Sequence, residues 1–238
     1  MISRSILIVT TSLLVWLVQF QKSYAQDEYD TVVVQDIETW TSASFQIKLG
    51  DKFDIALNQQ FRFHQNTAEL ERLFTQVEAC YKLHKTFEVA GGYRFISESK
   101  KSGIQNGHRW NIDGKYKFKL ARLNGYARIR YQSGKEFGQD DILWNNHFRC
   151  KTKLKYNIKN WKLDPYFAME FFRTSGKNVV NQVDKLRLTV GTAFKINKQH
   201  RIALFYGGEK EQNTVYPKTT YLIGVGYAYV FKCSKNEE

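Results

Sequence analysis

Proline, cysteine and long apolar runs are all scarce in this chain. Two prolines and no low-complexity stretch leave nothing that reads as a linker, so the sequence after its leader is read as a single domain. The three cysteines, Cys80, Cys150 and Cys233, are odd in number and widely separated, which excludes a disulfide framework and predicts unpaired thiols. Beyond Ala25 no uncharged segment approaches the roughly 20 apolar residues of a membrane-spanning helix. Only a soluble fold or a closed membrane β-barrel remains. Acids are also scarce beside bases, 23 against 36, for a net charge of +13.

The exception to the missing apolar runs is the N-terminus. Arg4 supplies a short positive region, Ile6 to Phe20 is mostly apolar, and Ser23-Tyr24-Ala25 places small residues where a signal peptidase reads. Residues 1–25 are therefore expected to be a cleaved signal peptide, leaving a domain of residues 26–238. A basic balance often signals nucleic acid. Here the bases alternate along the chain instead of forming a patch, and an exported protein seldom meets nucleic acid, so that partner is set aside.

What the chain does have is alternation with a period of two, the signature of strands whose two faces meet different surroundings. Trp110, Ile112, Gly114, Tyr116 and Phe118 alternate with Arg109, Asn111, Asp113, Lys115 and Lys117. Phe148, Cys150, Thr152 and Leu154 alternate with Arg149, Lys151 and Lys153, which puts Cys80 and Cys150 on opposite faces of the sheet. Runs of this kind predict strands near 37–49, 53–64, 72–83, 86–97, 108–120, 123–132, 142–157, 161–173, 184–196, 200–211 and 219–231. Short connections such as Gly50-Asp51-Lys52 and Ala121-Arg122 alternate with longer polar ones at 65–71, 98–107, 133–141, 174–183 and 212–218, as in outer-membrane barrels. With short turns and the C-terminus on one side, an earlier strand is needed, and Tyr29 to Gln35 can supply it. The expected fold is an all-β, antiparallel up-and-down transmembrane barrel of about twelve strands, with ten as the alternative.

Aromatics on the apolar face gather near both strand ends, Phe53, Tyr81, Phe87 and Phe118 at one and Phe61, Tyr93, Trp110 and Tyr206 at the other. Two such belts are expected where a barrel meets the membrane interfaces. A secreted soluble barrel binding an apolar ligand is the alternative, but a dozen strands would leave it a wide apolar cavity to fill. Phe231 closes the last run as outer-membrane strands do, although Lys232 to Glu238 follow it.

The segments Trp40-Thr41, Gln60-Phe61-Arg62-Phe63, Glu69 to Thr75, Gly92-Tyr93-Arg94-Phe95, Tyr126 to Tyr131 and Gly224-Val225-Gly226-Tyr227 carry a family resemblance. The chain resembles the outer-membrane family known as domain of unknown function 2490. The resemblance implies the fold and an outer-membrane location, and it implies no activity.

The polar face, read as the lumen, carries Arg62, Arg94, Arg109, Arg128, Arg130, Arg149, Lys151, Lys153 and Arg187. Its acids are fewer: Asp54, Glu78, Glu88, Asp113, Asp164, Glu170, Glu209 and Glu211. A basic lumen would concentrate small anionic solutes in an open pore. In a narrow barrel the same side chains, paired with those acids, would instead form a salt-bridged plug. A barrel-embedded hydrolase needs a serine beside a histidine on the outer face, and none is read there, so no enzyme is expected. The five histidines never share a ligand spacing with cysteine or carboxylate. Gly91-Gly92 and Gly207-Gly208 precede no helix. No metal or cofactor is therefore expected. The partners implied are outer-membrane lipid and small anionic solutes, and the sequence names no protein partner.

Overall fold

The computed structural model describes residues 34–138, 144–159, 161–175, 183–214 and 216–233. The expected signal peptide and the expected strand at Tyr29 to Val33 lie outside the described residues. Eleven strands follow in chain order: β1 (Val34–Leu49), β2 (Phe53–His64), β3 (Glu69–Lys82), β4 (Phe87–Lys100), β5 (Gly103–Leu120), β6 (Leu123–Glu136), β7 (Asn145–Tyr156), β8 (Leu163–Ser175), β9 (Lys185–Lys195), β10 (His200–Glu211) and β11 (Lys218–Cys233).

Each strand pairs antiparallel with the one before it, and the sheet closes into a barrel through β1 and β11. That seam is parallel, in continuous register from Val34 opposite Lys218 to Leu49 opposite Cys233. The parity is forced: an odd number of up-and-down strands leaves the first and last running the same way. The barrel thus closes with eleven strands where about twelve were expected, because a parallel seam satisfies both edges without another strand. Val34 and Gln35, assigned by sequence to the extra strand, are the first residues of β1.

One end of the barrel carries the connections 50–52, 83–86, 121–122, 157–162 and 196–199, and is called the turn end below. The other, the loop end, carries 65–68, 101–102, 137–144, 176–184 and 212–217. The long loop expected at 98–107 is absent. β4 and β5 run on to Lys100 opposite Gly103 and turn through Lys101-Ser102 alone. Its polar run Ser97 to Ser102 masks the strand signal, because this hairpin extends past the apolar band and needs no apolar face. β6 accompanies it, with the Phe137 N–H donating to the Asn106 carbonyl at 2.8 Å and Lys100 pairing with Glu136 at 2.7 Å.

The apolar and polar registers fall on opposite faces of the wall, apolar outward. Adjacent residues of β5 show the contrast: Ile112 is 60% exposed and Asp113 is 0% exposed. Leu57, Val77, Ile129, Val190 and Leu204 likewise project outward, while Gln76, Glu88, Asn111, Arg130 and Glu170 are buried inside. A soluble core would have this pattern reversed. The small face of β11 also has a use. Inside the barrel the Phe205 ring lies directly over Gly224, where any Cβ would collide with it, and meets Trp40 edge-on at 6.0 Å between centroids.

Outward aromatics cluster at both ends, each cluster holding a histidine. At the loop end His108 lies 4.9 Å from Phe137, 5.2 Å from Trp144 and 5.9 Å from Tyr93, whose hydroxyl shares a 3.0 Å hydrogen bond with Nδ1. At the turn end His200 bonds the Tyr227 hydroxyl at 2.6 Å beside Tyr229, and Tyr229 stacks on Phe45. Cys80 is buried, Cys150 and Cys233 are exposed, and all three are free.

Candidate functional site

Three levels of the interior carry the charge. The first is a middle layer built where β3, β5 and β8 place carboxylates inward and β6 places arginines. Arg130 grips Asp113 with both arms of its fork, Nε to Oδ1 at 2.6 Å and Nη2 to Oδ2 at 2.7 Å, and reaches Glu78 at 3.3 Å. Lys115 meets the other Glu78 oxygen at 3.2 Å. Arg128 lies 3.9 Å from Asp113 and donates to Glu170 at 2.7 Å. Glu170 also takes Arg149 at 2.7 Å, Arg187 at 3.4 Å and Lys151 at 3.8 Å. Arg187 continues to Glu209 at 2.5 Å, and Lys185 joins Glu209 to Glu211 at 2.6 and 3.5 Å.

One chain of charges therefore runs from β3 to β10 across the interior. Long side chains from seven strands, β3 and β5 to β10, meet there in one network. Bidentate guanidinium–carboxylate geometry holds them in fixed positions.

On the loop side of that layer, arginines alternate with aromatic rings. Trp40 has Arg62 on the β2 side at 3.8 Å and Arg187 on the β9 side at 4.8 Å. Phe74 lies between Arg62 and Arg94, each at 4.7 Å. Phe172 lies between Arg149 at 4.5 Å and Arg187 at 4.7 Å. Cation–π contact with the ring faces orients each guanidinium and leaves its N–H edge free to point elsewhere.

A cavity of about 550 Å³ is lined by these arginines, Arg62, Arg94, Arg149 and Arg187, and by Arg109, together with Phe74, Gln132, His147 and Phe172. Its size is that of a small-molecule site. A second cavity of about 470 Å³ lies at the turn end, lined by Lys85, Lys117, Lys119, Lys153 and Lys155 with Phe118 and Tyr126. Charges there pair locally: Lys117 with Glu88, Lys155 and Lys195 with Asp164 at 2.8 and 3.3 Å, and Lys82 with Asp54 at 3.2 Å.

The candidate basic residues divide accordingly. Arg128, Arg130 and Lys151 sit in the middle layer, Arg149 and Arg187 join it to the cavity, and Arg62, Arg94 and Arg109 line the cavity. Lys153 is apart from them, at the turn end, 3.5 Å over the Tyr166 ring. Trp40, Phe74 and Phe172 were not among the candidates. Their signal is an aromatic residue on the polar register of an alternating strand, where the lumen normally takes polar side chains.

Residues 37–220 match the family described as "Protein of unknown function (DUF2490)". The chain belongs to this family. No curated protein matches it. Among solved structures the chain is similar to the beta domain of the Bordetella autotransporter Brka, at 11% identity over 74% of this chain and 82% of that chain, with a TM-score of 0.49.

Proposed function

We propose that the protein is a barrel of the bacterial outer membrane whose lumen is closed by its own side chains, a membrane-held scaffold with no enzymatic role that presents a basic cup at its loop end. The outward apolar band and the aromatic clusters at both ends support the membrane reading, since lipid is the surrounding that rewards this inverted pattern.

The observation that carries the closed lumen is the burial of Asp113, Glu170 and Arg130, at 0%, 2% and 4% exposure. Water-filled channels keep charged walls wet, whereas these groups are shielded by one another. A second reading, a small pore preferring anionic solutes, is favoured by the basic cup alone.

The test is reconstitution of the mature chain. A membrane barrel requires detergent for extraction and migrates differently on a gel before and after heating. In liposomes the closed barrel gives no swelling with small anionic solutes. Swelling at rates that rise with solute charge would favour the pore, and release into the aqueous phase without detergent would favour the soluble alternative.

A further inference from the structure

The arginines of the cup are not equally compensated. Arg130 faces Arg149 across β6 and β7, but each has its own carboxylates, Asp113 and Glu78 for one and Glu170 for the other. Arg62 faces Arg72 across β2 and β3, and Arg72 is held by Glu98 at 2.7 Å and Glu71 at 3.2 Å. Arg94 and Arg109 face each other directly across β4 and β5, and neither forms an ion pair among the described residues. Like charges in that relation repel.

Among the described residues Arg94 Nε donates to the neutral Gln76 Oε1, at 2.7 Å. Arg62 Nη2 reaches Gln60 Oε1 at 3.3 Å, and its Nε is shielded from water with no hydrogen-bond partner among the described residues. Most acids of the same cavity are engaged elsewhere. Glu71 and Glu98 hold Arg72, and Glu209 and Glu211 hold Arg187 and Lys185. Asp184 accepts the Thr174 N–H, and Glu38 accepts the Trp40 indole N–H at 2.8 Å.

We propose that Arg62, Arg94 and Arg109 form a receptor for a phosphate group on a small solute entering the loop-end cup. Three permanent cations call for more than one negative charge, which a single carboxylate does not carry. The planar forks match phosphate oxygens. Trp40 and Phe74 already have guanidiniums on two sides, so the ligand is read by N–H edges and not by stacking of a sugar or aromatic ring. The proposal rests on the closed-barrel reading, in which the middle layer floors the cup.

Calorimetric titration of the refolded mature chain in detergent at low ionic strength tests it, with inorganic phosphate, glycerol 3-phosphate and acetate as probes. Saturable binding of either phosphate, with acetate much weaker, is expected. Tighter glycerol 3-phosphate identifies a phosphorylated solute as the better ligand, and equal affinities identify the phosphate group alone.

Arg94→Gln and Arg109→Gln should each weaken phosphate binding about tenfold or more, the scale of one charge-assisted hydrogen bond. Arg94→Lys, which keeps the charge but loses the fork, should fall between. Lys117→Gln at the turn end should leave affinity within about twofold, on the footing of a locally paired charge. Heat-modifiable migration establishes that each variant is folded. Absence of saturable binding, or equal losses in Lys117→Gln and the arginine variants, would overturn the site. Phosphate binding in a barrel that also swells liposomes would overturn the closed lumen and leave the receptor standing.

Discussion

The middle layer and the cup are made of the same side chains on neighbouring turns of the same pleat, yet they differ in compensation. In the layer, Glu170 alone receives Arg128, Arg149, Arg187 and Lys151. In the cup, Arg94 and Arg109 stand opposite each other, and neither forms an ion pair among the described residues. Buried charge costs free energy unless it is paired. The layer meets that cost internally, as a plug would. In the cup, Arg94 and Arg109 leave it unmet beside a cavity.

Breaking the layer should therefore have the largest effect. Glu170→Ala leaves four cations without their shared acid, and is expected to destabilise the barrel by about 3–5 kcal/mol, read by urea unfolding in lipid vesicles. A paired replacement sharpens the point. Arg130→Met with Asp113→Leu removes both charges together, and should cost far less than Asp113→Ala alone or even stabilise the barrel.

An outward change supplies the external reference. Val77→Arg, midway along β3, is expected to cost about 2–4 kcal/mol in the same vesicles and much less in a loosely packed detergent shell. In the cup, Arg94→Gln removes an uncompensated cation, so stability should stay within about 0.5 kcal/mol of the parent or rise. In the same low range is Lys100→Ala on the projecting hairpin, an exposed pair with Glu136, expected to cost about 0–1 kcal/mol and to vanish in high salt. An Arg94→Gln loss as large as that of Glu170→Ala would erase the distinction between the two levels.

Much of this was legible in the sequence because a lipid-facing wall imposes strict alternation. Residues 53–64 and 200–211 are strands as read, and the eleven alternating runs correspond to the eleven strands. Reading failed where the constraint lapses. Ser97 to Ser102 lies beyond the apolar band, so nothing forces its outer face to be apolar and the strand looks like a loop. The strand number turned on the seam, a pairing of Val34–Leu49 with Lys218–Cys233 that leaves no local trace in either segment.

For the site, each of the acids from Asp54 to Glu211 assigned to the polar face has a basic partner. Which base each takes depends on register across several strands, as with Glu78 on β3 and Arg130 on β6, and no spacing along one strand encodes it. The same holds for Arg94 and Arg109, whose lack of an ion pair among the described residues is a property of four neighbouring strands together.

The most direct test of the closed barrel is single-channel recording of the refolded mature protein in a planar bilayer, with insertion established independently by protease protection. The middle layer predicts insertion without current steps. Stable anion-selective steps from the unmodified protein would contradict it, and would make the buried chain from Glu78 to Glu211 the lining of a pore.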